Sequence, residues 1–154
     1  MTTTPAVPPG RTAQLPRSVV PYLAVGNGAQ ALDFYARAFG AVEVMRMGDD
    51  DFGIAHSEFT IGGATFYLSD EWVPMNVRSP KSLGGYSVSL AIEIADVDPF
   101  VEHLTRHGVT VERAVEDGPG EGQRHAWVVD PYGHRWHIQS PAEAAGRTGQ
   151  GGPA

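Results

Sequence analysis

The chain has 154 residues, enough for one domain or two fused half-domains, and its 42% hydrophobic content supports a packed core rather than global disorder. Its 11 Lys and Arg stand against 18 Asp and Glu, a net charge of -7 with no basic cluster, which argues against a nucleic-acid partner. The absence of cysteine excludes disulfides, thiolate metal sites and a cysteine nucleophile, and the Pro-containing start is neither a secretion signal nor a membrane span, so a cytoplasmic protein is the simplest reading.

Residues 1–17 are rich in Thr, Pro and Gly and are expected to be flexible. From Ser18 the run S-V-V-P-Y-L-A-V predicts a strand, with Pro21 favouring a strand start or an edge. Asn27 is a candidate helix cap, Ala31, Phe34, Tyr35 and Phe39 form an apolar stripe, and Gly40 stops the helix. Strands are predicted over Ala41–Met47, Gly53–Ile61 and Thr65–Leu68, with a hairpin turn at Gly62-Gly63. Residues 71–85 read as a linker in which Trp72 could cover a cleft or dock on a second subunit. The pattern then returns: a strand over Tyr86–Ile94, a cap at Asp96, a helix through Phe100, Val101 and Leu104 to Gly108, and strands over Val109–Ala114, His125–Val129 and Arg135–Gln139. Residues 142–154, rich in Ala and Gly, read as a second flexible tail.

The two halves share a register. Val20 and Ser89 are 69 residues apart, as are Asn27 and Asp96; Gly40 and Gly108 are 68 apart, and the turns at Gly63 and Gly133 are 70 apart. The fold class is therefore α+β, with two βαβββ modules over residues 18–70 and 86–141 expected to form a curved mixed sheet with a concave cleft and outer helices.

The motifs V-V-P-Y-L-A-V, A-L-D-F-Y-A-R-A-F-G-A, G-I-A-H-S-E-F-T-I-G-G-A-T-F-Y-L-S-D-E and D-P-Y-G-H-R-W-H resemble the glyoxalase/bleomycin-resistance/dioxygenase (vicinal oxygen chelate) superfamily, and within it the PhnB-like branch. The resemblance spans roughly Ser18 to Pro141 and implies a homodimer. It also implies four metal-ligand positions on the concave face, which fall here on Val20, Tyr67, Ser89 and His137. Valine has no donor atom, and neutral tyrosine and serine are poor ligands for a divalent ion, so the inherited site is broken at three positions.

Strand parity places Tyr22 and Tyr67 on the cleft face and Phe66 and Trp136 in the core. The candidate ligand-binding residues are Tyr22, His56, Tyr67, Ser89, Trp127 and His137: aromatic walls with a few polar groups, suited to a flat, partly apolar molecule. No cofactor is favoured. The leading expectation is metal-independent binding of a small molecule, such as antibiotic sequestration. The enzymatic alternative is a divalent-metal lyase, isomerase or dioxygenase using His56, Glu58 and His137; a structural or interaction protein without a small ligand is a third reading. His125 has no evident partner in the sequence, and His137 no evident orienting carboxylate. His134 is assigned to the turn after Asp130, and Arg124 to an ion pair with Asp130 or Asp117. Gly118–Gly122 lacks the phosphate-loop order and reads as a flexible hairpin loop.

Overall fold

The protein's structure, a computed structural model, is described for residues 5–6 and 9–142. Most of the C-terminal tail, and residues 1–4 and 7–8 of the N-terminal segment, therefore lie outside the described residues. The first module comprises β1 (Tyr22–Val25), α1 (Gly28–Phe39), β2 (Val42–Asp49), β3 (Gly53–Ile61) and β4 (Ala64–Asp70). A 3₁₀ turn (Val73–Met75) and the short helix α2 (Pro80–Leu83) follow, so the linker carries local structure of its own. The second module comprises β5 (Ser89–Glu93), α3 (Val97–Arg106), β6 (Thr110–Asp117), β7 (Arg124–Val129) and β8 (Arg135–Gln139). Among the described residues no helix is long and apolar enough to cross a membrane.

Each module makes one four-stranded sheet with the same connectivity, β1-β4-β3-β2 and β5-β8-β7-β6. In each, the first and last strands pair in parallel and the others antiparallel. The sequence led us to expect one curved sheet; the structure has two, because β1 and β5 do not exchange ladder hydrogen bonds. A cavity of about 290 Å³ lies between these strands, lined by Tyr22, Leu23, Ala24, Leu90 and Arg135 among others.

Local chemistry explains α1. Asn27 has extended backbone and its side chain accepts from the Gln30 amide at 3.1 Å, satisfying a helix-start donor. Gly40 closes the helix at φ +68°, and its N–H donates to the Tyr35 carbonyl. Asp96 sits at the equivalent position before α3 but makes no capping hydrogen bond, contrary to the sequence expectation.

The buried faces of α1, α3 and both sheets form one core. Trp136 is fully buried, with its ring 4.6 Å from Phe39, 6.0 Å from Phe66 and 6.1 Å from Tyr35. Asp130, also buried, fastens the modules together. One of its carboxylate oxygens accepts from the Tyr35 hydroxyl of α1 at 2.5 Å and from the Trp136 indole N–H at 2.9 Å. The other accepts from the Tyr132 and His134 amides at 2.9 and 3.1 Å. Arg124 therefore does not pair with Asp130, which has no room for it; it binds Asp98 and Asp117 instead. His134 does serve the turn, and its ring also donates across the modules to the Ala24 carbonyl at 2.9 Å.

Opposite the core, each sheet keeps an open face. Val42, Val44 and Met47 on β2 are exposed, as are Tyr22 on β1 and Val111 on β6.

Candidate functional site

On the open face of the first sheet, Tyr22 pairs in register with Tyr67, and Glu58 with Tyr67. Met47 opposes His56 while Gly48 opposes Ile54, so β3 carries one extra residue at Ala55. This bulge turns both Ala55 and His56 toward the open face while Ile54 and Ser57 stay buried. The Tyr22 hydroxyl and His56 Nδ1 are hydrogen bonded at 2.5 Å. The rings of Tyr22, His56 and Tyr67 meet edge to face, with centroids 4.9 to 5.4 Å apart. Burial, then the neighbouring Tyr67, raise the Tyr22 pKa, so the phenol stays protonated at neutral pH.

Beside this cluster lies a cavity of about 640 Å³, walled by Tyr22, Ala24, Phe52, Ala55, Trp72 and Val77, with Asp70 at its margin. Two loops build the aromatic wall. Asp49 accepts from the amides of Asp51 and Phe52 at 3.0 and 2.6 Å, folding the β2–β3 turn so that Phe52 meets Trp72 at a ring distance of 4.4 Å. Trp72 is held by reciprocal backbone bonds to Val77 at 2.9 and 3.0 Å. Glu71 anchors the same segment by accepting from the Ser79 amide at 2.8 Å and from the Ser82 hydroxyl. Asp70 accepts from the Gly28 and Ile54 amides at 3.0 and 2.6 Å, tying the turn to the start of α1. Gly53 is required here: its φ is +90°, and a Cβ would lie 2.6 Å from the Asp70 carboxylate.

The second sheet presents a polar aromatic cluster. Trp127 stacks on His137 at 4.3 Å, and His125 Nδ1 is hydrogen bonded to His137 Nε2 at 2.9 Å. Glu116 lies 3.4 Å from the other nitrogen of His125, so His125 has both a partner and an acidic neighbour that the sequence did not reveal. Arg135 lies 3.8 Å over the Trp127 ring, is engaged by both oxygens of Glu112 at 2.9 and 3.0 Å, and reaches the Ser89 hydroxyl at 3.4 Å. Burial first, then the neighbouring His125 and Arg135, lower the His137 pKa below the ordinary histidine value, leaving the ring neutral at pH 7.

The six sequence candidates thus fall into two groups on different sheets: Tyr22, His56 and Tyr67, and Ser89, Trp127 and His137. His56 and Glu58 share the first sheet, whereas His137 is on the second, and among the described residues no three His, Asp or Glu side chains gather as a metal-binding group within the chain. The inherited positions do not fit a divalent ion by their chemistry: Val20 offers no donor, and the neutral Tyr67 and Ser89 hydroxyls are poor ligands, leaving His137 as the one good donor of the four. Phe52 was missed in the sequence; a lone aromatic in the polar run Asp49–Gly53 was the available signal.

Two βαβββ modules of equal connectivity, each with an open sheet face, define a paired-module architecture, and known proteins share it. A model of the Glyoxalase/Bleomycin resistance protein/Dioxygenase superfamily matches residues 16–138, and the chain belongs to that superfamily. An uncharacterized protein of Mycobacterium bovis is 37% identical over 124 residues, covering 79% of this chain and 81% of its own. The PhnB protein of Bacillus cereus is 19% identical with a TM-score of 0.61, covering 81% of this chain and 100% of its own. The fosfomycin resistance protein FosX of Listeria monocytogenes is 14% identical with a TM-score of 0.64, covering 84% of this chain and 97% of its own. These structural likenesses concern the fold.

Proposed function

We propose that the protein is a cytoplasmic homodimer that binds a small, partly apolar or aromatic molecule in a cleft without requiring a metal ion. The observation that carries this reading is the first-sheet cavity of about 640 Å³, whose walls include Tyr22, Phe52 and Trp72. Its volume is in the range that holds drug-sized ligands, and flat rings supply contact area at low entropic cost. His56, hydrogen bonded to Tyr22, and Tyr67 supply polar and aromatic contacts at its border. Ser89, Trp127 and His137 form a second surface that a partner copy could bring toward a ligand. Exposed Val42, Val44 and Met47 support dimerisation, since an apolar sheet face favours a partner. The likeness to a protein named for fosfomycin resistance motivates including antibiotics among the compounds tested, with sequestration as the role.

The test is tryptophan fluorescence and calorimetry with a panel of metabolites and antibiotics, in buffer treated with chelator. Saturable binding that Trp72→Ala weakens is the expected result. Absence of any saturable ligand, or binding that strictly requires a divalent ion, would overturn the proposal; the second result would favour the metalloenzyme alternative.

A further inference from the structure

We infer that the first-sheet cavity selects an organic cation: a molecule with an apolar or aromatic body and a protonated amine or quaternary ammonium group. This rests on the binding reading above and specifies the ligand's chemistry. The apolar cavity does not end at Phe52 and Asp70. Both residues also line an adjoining depression of about 550 Å³, whose wall carries Asp49, Asp50 and Asp51. A ligand seated against Trp72 and Phe52 therefore has an apolar compartment on one side and four carboxylates toward the other.

Nothing nearby neutralises those carboxylates. Among the described residues, no ion pair involves Asp49, Asp50, Asp51 or Asp70. Arg46, the basic side chain lining the depression, is held by both oxygens of Glu43 at 2.6 and 2.7 Å. Asp49 and Asp70 are fixed by backbone amides, so the negative field is built into the turn. The aromatic wall adds to the same preference, because the ring faces of Trp72 and Phe52 attract cations. On the second sheet the equivalent face differs: Arg135 is matched by Glu112, and His125 faces Glu116. Among the described residues, the charges around the second-sheet cluster are thus paired, whereas the first-sheet cavity adjoins carboxylates without ion-pair partners.

The probes are three molecules sharing one ring system: naphthylmethylamine, naphthalenemethanol and naphthoate. Calorimetry and ligand-observed NMR on the full chain should show the amine binding about tenfold more tightly than the alcohol at low salt, with the carboxylate weakest. Raising the salt about tenfold should shrink the gap between amine and alcohol by weakening the amine alone. Asp50→Asn with Asp51→Asn, which leaves the loop-holding Asp49 and Asp70 in place, should close most of that gap and leave the alcohol unchanged. Equal binding of amine and alcohol, or tightest binding of naphthoate, would overturn the cation inference while leaving the binding reading intact. If none of the three binds saturably while another neutral or anionic compound does, the inference likewise falls and the reading stands. If nothing binds, both fall. The salt comparison needs only the unaltered protein, so it decides the question even if the double variant fails to fold.

Discussion

Replacing Asp130 by alanine removes the carboxylate through which α1 of the first module meets the last hairpin of the second. The loss can be worked from the contacts. The Tyr35 hydroxyl and Trp136 indole N–H belong to fully buried residues and donate to the same Asp130 oxygen at 2.5 and 2.9 Å. Leaving a buried donor unsatisfied costs about 1–3 kcal/mol, so the two together amount to about 2–6 kcal/mol, a large part of the 5–15 kcal/mol typical of a domain. The turn amides of Tyr132 and His134 lose their acceptor as well. Asp130→Asn should lie between alanine and wild type. Its retained oxygen can still serve the turn and its amide can donate to the Tyr35 oxygen, but it faces the Trp136 N–H with another donor. Tyr35→Phe, which removes one charge-assisted bond, should cost about 1.5–3 kcal/mol. Urea unfolding followed by circular dichroism measures all three, with the slope of the transition checked for a change in the folded or unfolded state. An Asp130→Ala protein within about 1 kcal/mol of wild type at unchanged slope would refute the assignment of Asp130 as the clasp between modules.

Three further outcomes follow from the structure. His137 is held below its ordinary pKa, so the unfolded chain binds its proton first; stability should therefore decline as pH falls from about 6.5 toward the lower folded value. NMR titration of the ring should show this depression, and His125→Gln should partly relieve it; an unaltered titration would refute the contribution from His125. Phe52→Ala should strip one wall from Trp72 and shift its emission to the red, with a stability loss below about 1.5 kcal/mol because both rings are already partly exposed; unchanged emission would place Phe52 away from Trp72 in solution. Sedimentation over a wide concentration range should give about twice the 16.5 kDa chain mass, and Met47→Asp with Val42→Asp should return it toward the monomer; a wild-type monomer throughout would overturn the dimer.

Much of the fold was legible because its signals are local. Asn27 and Gly40 bracket α1 through bonds within a single turn of chain, and strand alternation separates Tyr22 and Tyr67 from Phe66 and Trp136. Repetition of those patterns about 69 residues apart reveals two modules. The site was less legible. The extra residue at Ala55, which turns Ala55 rather than Ile54 toward the cavity, depends on how β2 and β3 pair, and neither strand encodes that register alone. Asp96 has the residue type and position of a cap, yet α3 does not use it. Phe52 and Trp72 come from separate loops, and their contact exists only after Asp49, Asp70 and Glu71 have fixed both backbones. Glu116 and His125 are likewise joined by strand pairing, while Asp130 is claimed by buried donors from two elements before Arg124 could reach it. The sequence determined the modules and the facing of most strands, because periodicity and capping act over a few residues. Only the tertiary structure decided which side chains meet in the cavity, because register, bulges and loop docking set those distances between segments far apart in the chain.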